Sequence, residues 1–366
     1  MIPQTDGDRE GAIGGTRERV RSPAKKSARW LNRFAWFTAI ATLLLIWSGG
    51  LVTSKGVGLA VPDWPNTFGY NMFLFPVSKW VGGVFFEHTH RLLASSVGFL
   101  TIVLATWLWR KEDRQWVRNL GLVALGAVIL QGVLGGLRVT MLKDEIGIFH
   151  ACLAQAFLAL LVFIALVTSD FWRRLSNEDV DLRKFVPIRA MAVAITVAIY
   201  LQLALGAIMR HQHRDLAILD FPTANGAWIP DTRPGTIVRI NLWRDAHALS
   251  DITPFQIWLQ MAHRFLAAII GMAVIAFCFR VRRLRHSSRA PILSGLSILW
   301  VVFLFLQLAL GAWTIWSNKA ADVATAHVAI GATMLCFGVS ISAICYRLSQ
   351  GSLSTTTFDR NAEFVA

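Results

Sequence analysis

Apolar residues in this chain do not alternate with polar ones. They run in unbroken blocks of about twenty, the length an α-helix needs to cross a bilayer. Eight such blocks stand out, at roughly 34–52, 84–109, 119–138, 146–169, 187–209, 255–279, 292–315 and 322–346. A lipid-facing segment must satisfy its own backbone hydrogen bonds, so each block predicts a helix. The period-two alternation of a membrane β-barrel strand is missing. The expected fold is an all-α membrane protein with eight transmembrane helices.

The polar junctions between blocks carry the next signal. Basic residues crowd the N-terminal segment and the junctions after spans two, four and six, for example Arg110, Lys111, Arg114 and Arg118 after span two. The other junctions are poorer in cations or balanced by aspartates. This asymmetry places the basic side and both termini in the cytoplasm. It also accounts for the net charge of +14 as a topology signal, so no nucleic-acid partner is expected. A mean hydropathy of +0.50 with 16% charged residues excludes an ordinary soluble domain. The acids Asp6, Asp8, Glu10 and Glu18 argue against a signal or transit peptide at the N-terminus. A bacterial inner membrane is therefore expected, with a mitochondrial inner membrane the alternative. Cys152, Cys278, Cys336 and Cys345 fall inside predicted spans and read as packing residues.

The chain also repeats itself. The stretch LAVPDWPNTFG from Leu59 aligns without a gap on LAILDFPTANG from Leu216, and the match reaches back to Gly49 and Gly206. FEHTHRLLASSVG then aligns on LQMAHRFLAAIIG, and QGVLGG from Gln131 on QLALGA from Gln307. The separation grows from 157 residues at Asp63 and Asp220 to 173 at His90 and His263, so the second copy has a longer outer loop by 16 residues. Two tandem, pseudo-symmetric four-helix bundles follow, at 34–169 and 187–346. A tail at 1–33, a linker at 170–186 and a tail at 347–366 complete the expected organisation, all three cytoplasmic. Four spans return the chain to its starting side, so the halves share one orientation.

Candidate chemistry sits on the even-numbered spans. His90, His150, His263 and His327 each lie near the outer end of one of them, a pair in each half. A lone membrane histidine is often only a hydrogen-bonding group between helices. Four at repeat-equivalent positions point to ligands, because neutral imidazole is a common metal ligand. Two imidazoles are thin for zinc, which takes three or four protein ligands. They suit the two axial positions of a heme iron between helices. Arg91 and Arg264 follow two of the histidines and could meet the propionates or, alternatively, snorkel to the interface. With all four ligands towards one side, the arrangement is a poor conduit for electrons across the bilayer.

One position breaks the symmetry. Glu87 stands three residues before His90, and its counterpart before His263 is Gln260. A carboxylate on the histidine's helical face could move protons or stabilise positive charge. It could also simply pair with Arg91 one turn on. His88 reads as a surface or loop-facing group, and His211, His213, His247 and His286 as solvated. The Asp-aromatic-Pro stretches at 61–65 and 219–222 read as tight turns, with a lid over each site as the alternative.

GGLVTSKGVGLAVPDWP, EHTHR and the single histidines at 150, 263 and 327 together resemble the heme A synthase family over about 45–346. The resemblance implies oxidation of a methyl group of heme O to a formyl group by successive water-derived hydroxylations, giving heme A for cytochrome oxidase. It implies a heme b cofactor on His263 and His327 with Arg264, the substrate heme on His90 and His150 with Arg91, and Glu87 as the catalytic carboxylate. Some members carry cysteine pairs in the outer loops, and this chain resembles the branch without them. Heme O synthase, cytochrome oxidase assembly factors and an electron acceptor are the implied partners besides the lipid bilayer. A quinone-linked diheme b-type cytochrome and a heme transporter or chaperone are the alternatives.

Overall fold

The computed structural model describes residues 23–175, 182–212, 216–283 and 290–351. It contains ten α-helices in these residues: α1 Pro23–Ser54, α2 Gly82–Lys111, α3 Gln115–Met141, α4 Asp144–Val167, α5 Asp170–Arg174, α6 Leu182–Gln212, α7 Pro234–Ala246, α8 Pro254–Arg283, α9 Ala290–Trp316 and α10 Ala321–Gly351. Eight of them are long and apolar enough to cross a membrane, and they match the eight predicted spans.

Their surface explains why they need lipid. Ile129, Leu130, Val133 and Leu137 on α3 and Leu299, Val302, Phe305 and Leu306 on α9 are exposed. An apolar face of that extent is unfavourable in water and neutral against acyl chains. The enclosed helices are α4 and α10, with 56% and 50% of their apolar windows buried against a third or less elsewhere. Helices α1 to α4 pack around one another, as do α6, α8, α9 and α10. The two groups meet along a seam where α10 touches α1 and α4, and α4 touches α6. Their interior is one continuous cluster running from Leu31 and Ala35 to Cys345 and Leu348.

The helices overrun the expected tails. Helix α1 starts at Pro23, inside the segment assigned to the N-terminal tail. Its inner end packs on α4 and α5: Leu31 is buried, Asn32 Nδ2 donates to Ala165 O of α4, and Arg29 Nε pairs with Asp170 Oδ2 of α5 at 3.1 Å. Helix α10 extends past 346 because Leu348 is buried and Ser349 Oγ accepts from Arg189 at 3.1 Å. The expected linker begins with the short helix α5, capped by Ser169 Oγ accepting from Trp172 N. Residues 1–22, 176–181, 213–215, 284–289 and 352–366, with His213 and His286 among them, lie outside the described residues, and α6 begins inside the expected linker at Leu182.

The two Asp-aromatic-Pro stretches fold alike. Asp63 accepts from Phe68 N and Gly69 N, both at 2.8 Å, and Asp220 accepts from Asn225 N at 2.7 Å and Gly226 N at 2.9 Å. Phe68 and Asn225 take positive φ of 50° and 54°, and each is followed by a glycine in the same region. The prolines 65 and 222 are both cis. Trp64 lies over α3 where Gly136 leaves room: a Cβ there would be 2.6 Å from the indole. Burial pushes both aspartates up, but hydrogen bonds outweigh it and hold both below the usual value of 3.8, from the amides at Asp63 and from the Thr223 hydroxyl and the amides at Asp220. A depressed carboxyl stabilises the fold above its unfolded pKa and loses that stabilisation as pH falls through the folded value. Acidification below about pH 4 is therefore expected to raise amide exchange at 66–70 and 223–227, with Asp63→Asn flattening the response of the first loop only. An exchange rate that ignores pH, beyond intrinsic chemistry, would refute this.

The extra residues of the second outer loop form a helix, α7, that the apolar pattern did not announce. Arg244 anchors it by donating to Leu216 O and Ser250 O.

Candidate functional site

Each of the four histidines lies against a glycine on the preceding long helix. A Cβ added to Gly49 would come within 2.8 Å of His90 Cε1, and one on Gly135 within 3.5 Å of His150. The second half repeats the pattern, with Gly206 at 3.4 Å from His263 and Gly311 at 3.1 Å from His327. At Gly49 and Gly311 the missing side chain lets backbone approach the imidazole closely, while at Gly135 and Gly206 a Cβ would make an ordinary contact. Backbone carbonyls fix two helix crossings as well: Gln131 Nε2 donates to His150 O at 3.0 Å and Gln202 Nε2 to His263 O at 2.9 Å.

The rings keep bonding capacity in hand. Nδ1 of His90, His150, His263 and His327 is buried without a hydrogen-bond partner in each case. His327 Nε2 comes no nearer than 3.4 Å to the Gln307 amide. Unpartnered interior nitrogens are costly and ask for an explanation. The rings of His263 and His327 have centroids 6.5 Å apart. Two imidazoles that each place a nitrogen about 2 Å from one metal have centroids roughly 6 Å apart, so this pair fits a shared metal. His90 and His150 are near enough to act on each other electrostatically. No group of three or more His, Cys, Asp or Glu able to hold a bare ion occurs among the described residues. The His263–His327 pair thus fits a metal that brings further ligands of its own, as a heme does, and His90 and His150 present the same unpartnered nitrogens at the equivalent positions.

Glu87 is buried and does two things. Its Oε2 accepts from Val61 N at 2.9 Å, and its Oε1 pairs with Arg91 at 2.7 Å. Gln260 does the equivalent in the second half, accepting from Ile218 N at 2.9 Å and donating to Ile218 O at 3.0 Å. Both residues therefore clamp the start of their outer loop, and only the first brings a charge. Arg91 completes the first clamp by donating to Val61 O, Asp63 O and Asn66 O. Arg264 donates to Asp220 O and Thr223 O. In this structure both arginines staple loop to helix, a use that a helix-end position did not reveal.

Two histidine readings are corrected. His88 faces the loop as expected, but it is fully buried and not at the surface. Its Nδ1 meets Thr67 Oγ1 at 3.2 Å, and Phe75 and Trp80 flank the ring. Met261 fills the same position in the second half and is buried among Ile218, Ile252 and Ile257. The position is a plug beneath each loop, which helical spacing alone could not show. His211 is half-buried, not solvated, because Gly147 of α4 leaves space for its ring. His247 is exposed, as the sequence suggested.

Sequence reading overlooked Arg138 on α3. Its guanidinium lies 3.5 Å from where a Cβ on Gly58 would be, in the neighbourhood of Glu87, His90 and His150. Its repeat counterpart is Thr314, so the difference was visible in the alignment of the two halves.

Comparison with known proteins bears on the same residues. Residues 75–339, which include all four histidines and Glu87, match the family described as cytochrome oxidase assembly protein, COX15-CtaA. A protein of Shouchella clausii named heme A synthase is 30% identical over 74% of this chain and 83% of its own length. Heme A synthases of Halalkalibacterium halodurans and Rhizorhabdus wittichii are 27% and 25% identical, each over 86% of this chain and over 97% and 94% of their own lengths. With eight apolar helices and these relatives, the chain is a multi-pass membrane protein. It belongs to the COX15-CtaA family of cytochrome oxidase assembly proteins.

Proposed function

We propose that this chain is a heme A synthase, an oxidoreductase that converts a methyl group of heme O to a formyl group with water as the oxygen source, the four electrons and four protons released passing in steps to an external electron acceptor. The reading rests on one observation above the others: two glycine-backed histidine pairs, with an ionisable carboxylate beside only the first. His90 and His150 hold the substrate ring between α2 and α4. His263 and His327 hold a heme b between α8 and α10. When bound, that heme supplies one-electron redox chemistry. Glu87 holds or accepts a proton at its Oε atoms during attack by water, and its fixed charge favours positive charge developing on the substrate. Its ion pair with Arg91 keeps the carboxylate oriented, and burial strengthens its field. The loop from Val61 to Gly69 covers this carboxylate and limits the entry of water. In cells the chain occupies the bacterial inner membrane, with both termini in the cytoplasm.

The test is chromatography of hemes extracted after heme O and an excess of a chemical electron acceptor are supplied to the purified protein. Conversion to heme A with heme b retained supports the proposal. Recovery of unaltered heme O from a protein that binds it would support a carrier instead, and heme b alone a cytochrome.

The glycine walls give a second prediction. Gly49→Ala forces the His90 ring to move, since the new Cβ would sit at 2.8 Å. Gly206→Ala meets its histidine at 3.4 Å, an ordinary contact distance. The first substitution is expected to weaken binding of the substrate ring by about tenfold, and the second to change binding at its own site far less. Equal effects, read from Soret titrations, would refute the cradle argument.

A further inference from the structure

The cations that the sequence offered for propionates are already engaged. Arg91 makes four hydrogen bonds to loop and carboxylate, and Arg264 makes two to loop carbonyls. Arg138 is different. Among the described residues it forms no hydrogen bond and no ion pair, although it stands half-buried near the outer end of an apolar span. A guanidinium in that position calls for an anionic partner.

Its place on α3 says where that partner lies. Gln131, Gly135 and Arg138 fall at i, i+4 and i+7, on one helical face. Gln131 holds the His150 carbonyl and Gly135 backs the His150 ring. Arg138 is the next residue outward on that face, at the mouth of the first histidine pair. The guanidinium lies beside Gly58, at the start of the first outer loop, 3.5 Å from where a Cβ there would be. Glu87 and Asp144 lie in its neighbourhood without reaching ion-pair distance. Thr314 replaces it in the second half, so the feature belongs to the first pocket alone.

We propose that Arg138 is the carboxylate-binding residue of the first pocket, taking a propionate of the ring held by His90 and His150 and so setting that ring's orientation between α2 and α4. The inference rests on the reading of that pocket as a heme site. A planar guanidinium binds a carboxylate through two parallel N–H donors, which fixes orientation as well as affinity. The opposite edge of the ring is thereby directed inward, away from the outer mouth.

The test uses the full-length protein in nanodiscs with its resident ring in place. Ferric protoporphyrin IX and its dimethyl ester are titrated separately, and binding is followed by the Soret band and by tryptophan quenching. The unsubstituted protein is expected to prefer the diacid. Arg138→Gln is expected to reduce that preference by about tenfold with little change in affinity for the ester, and Arg138→Lys to recover part of it. Because the side chain has no partner among the described residues, the resident Soret band should be unchanged and serves as the folding control. Full preference in Arg138→Gln overturns the role of Arg138 alone. Failure of the unsubstituted protein to bind either ring, or binding that survives His90→Ala undiminished, overturns the pocket assignment and the inference with it.

Discussion

Glu87→Gln should leave the protein folded, loaded with heme and almost inactive. The second half shows why the fold survives: Gln260 stands at the equivalent position and holds its loop through the Ile218 amide and carbonyl. A glutamine at 87 can keep the hydrogen bond from Val61 N while removing the charge and the proton-accepting oxygen. General base catalysis contributes about a hundredfold to ten-thousandfold, and heme A formation is expected to fall within that range. Arg91 loses its ionic partner but keeps three loop carbonyls. The measurement is single-turnover conversion of heme O, with substrate affinity followed in parallel. A Glu87→Gln protein that forms heme A at the normal rate would reduce Glu87 to a loop clamp.

The second large effect separates the two histidine pairs. His263→Ala removes one side of a pair whose ring centroids are 6.5 Å apart. Loss of a mere outer-shell partner costs a metal site about 10- to 100-fold, so loss of a direct ligand is expected to empty the second pocket on purification. His90→Ala should retain that resident heme and fail instead to take up added heme O. The readouts are the Soret absorbance of the isolated protein and its change on titration. Loss of the resident band in His90→Ala, with retention in His263→Ala, would reverse the roles of the two halves.

Much of this was legible in the chain. Eight apolar blocks mark the eight long helices because bilayer thickness sets their length, and neither property depends on tertiary detail. The duplicated LAVPDWPNTFG and LAILDFPTANG stretches mark loops that fold alike, because aspartate and a residue before glycine act locally. What escaped depends on which way a side chain turns after packing. Arg91 was readable as a cation near an interface, but not as a staple across Val61, Asp63 and Asn66. His88 looked exposed because its helical angle was known and the loop above it was not. Helix α7 was missed because its apolar residues are few and follow neither a span-length run nor a clean face. Arg138 was within reach of comparing the two halves, since arginine opposite Thr314 is as marked a difference as Glu87 opposite Gln260.

The backbone walls behind the four imidazoles carry one more consequence. Where a side chain lines a cavity, a rotamer change or a trimmed methyl can resize it. Peptide groups in a hydrogen-bonded helix have no such freedom. The depth of each pocket is therefore coupled to the spacing of whole transmembrane rods, and a natural variant that accepts a bulkier porphyrin must obtain its room at the rim, from loop residues, leaving the rear untouched.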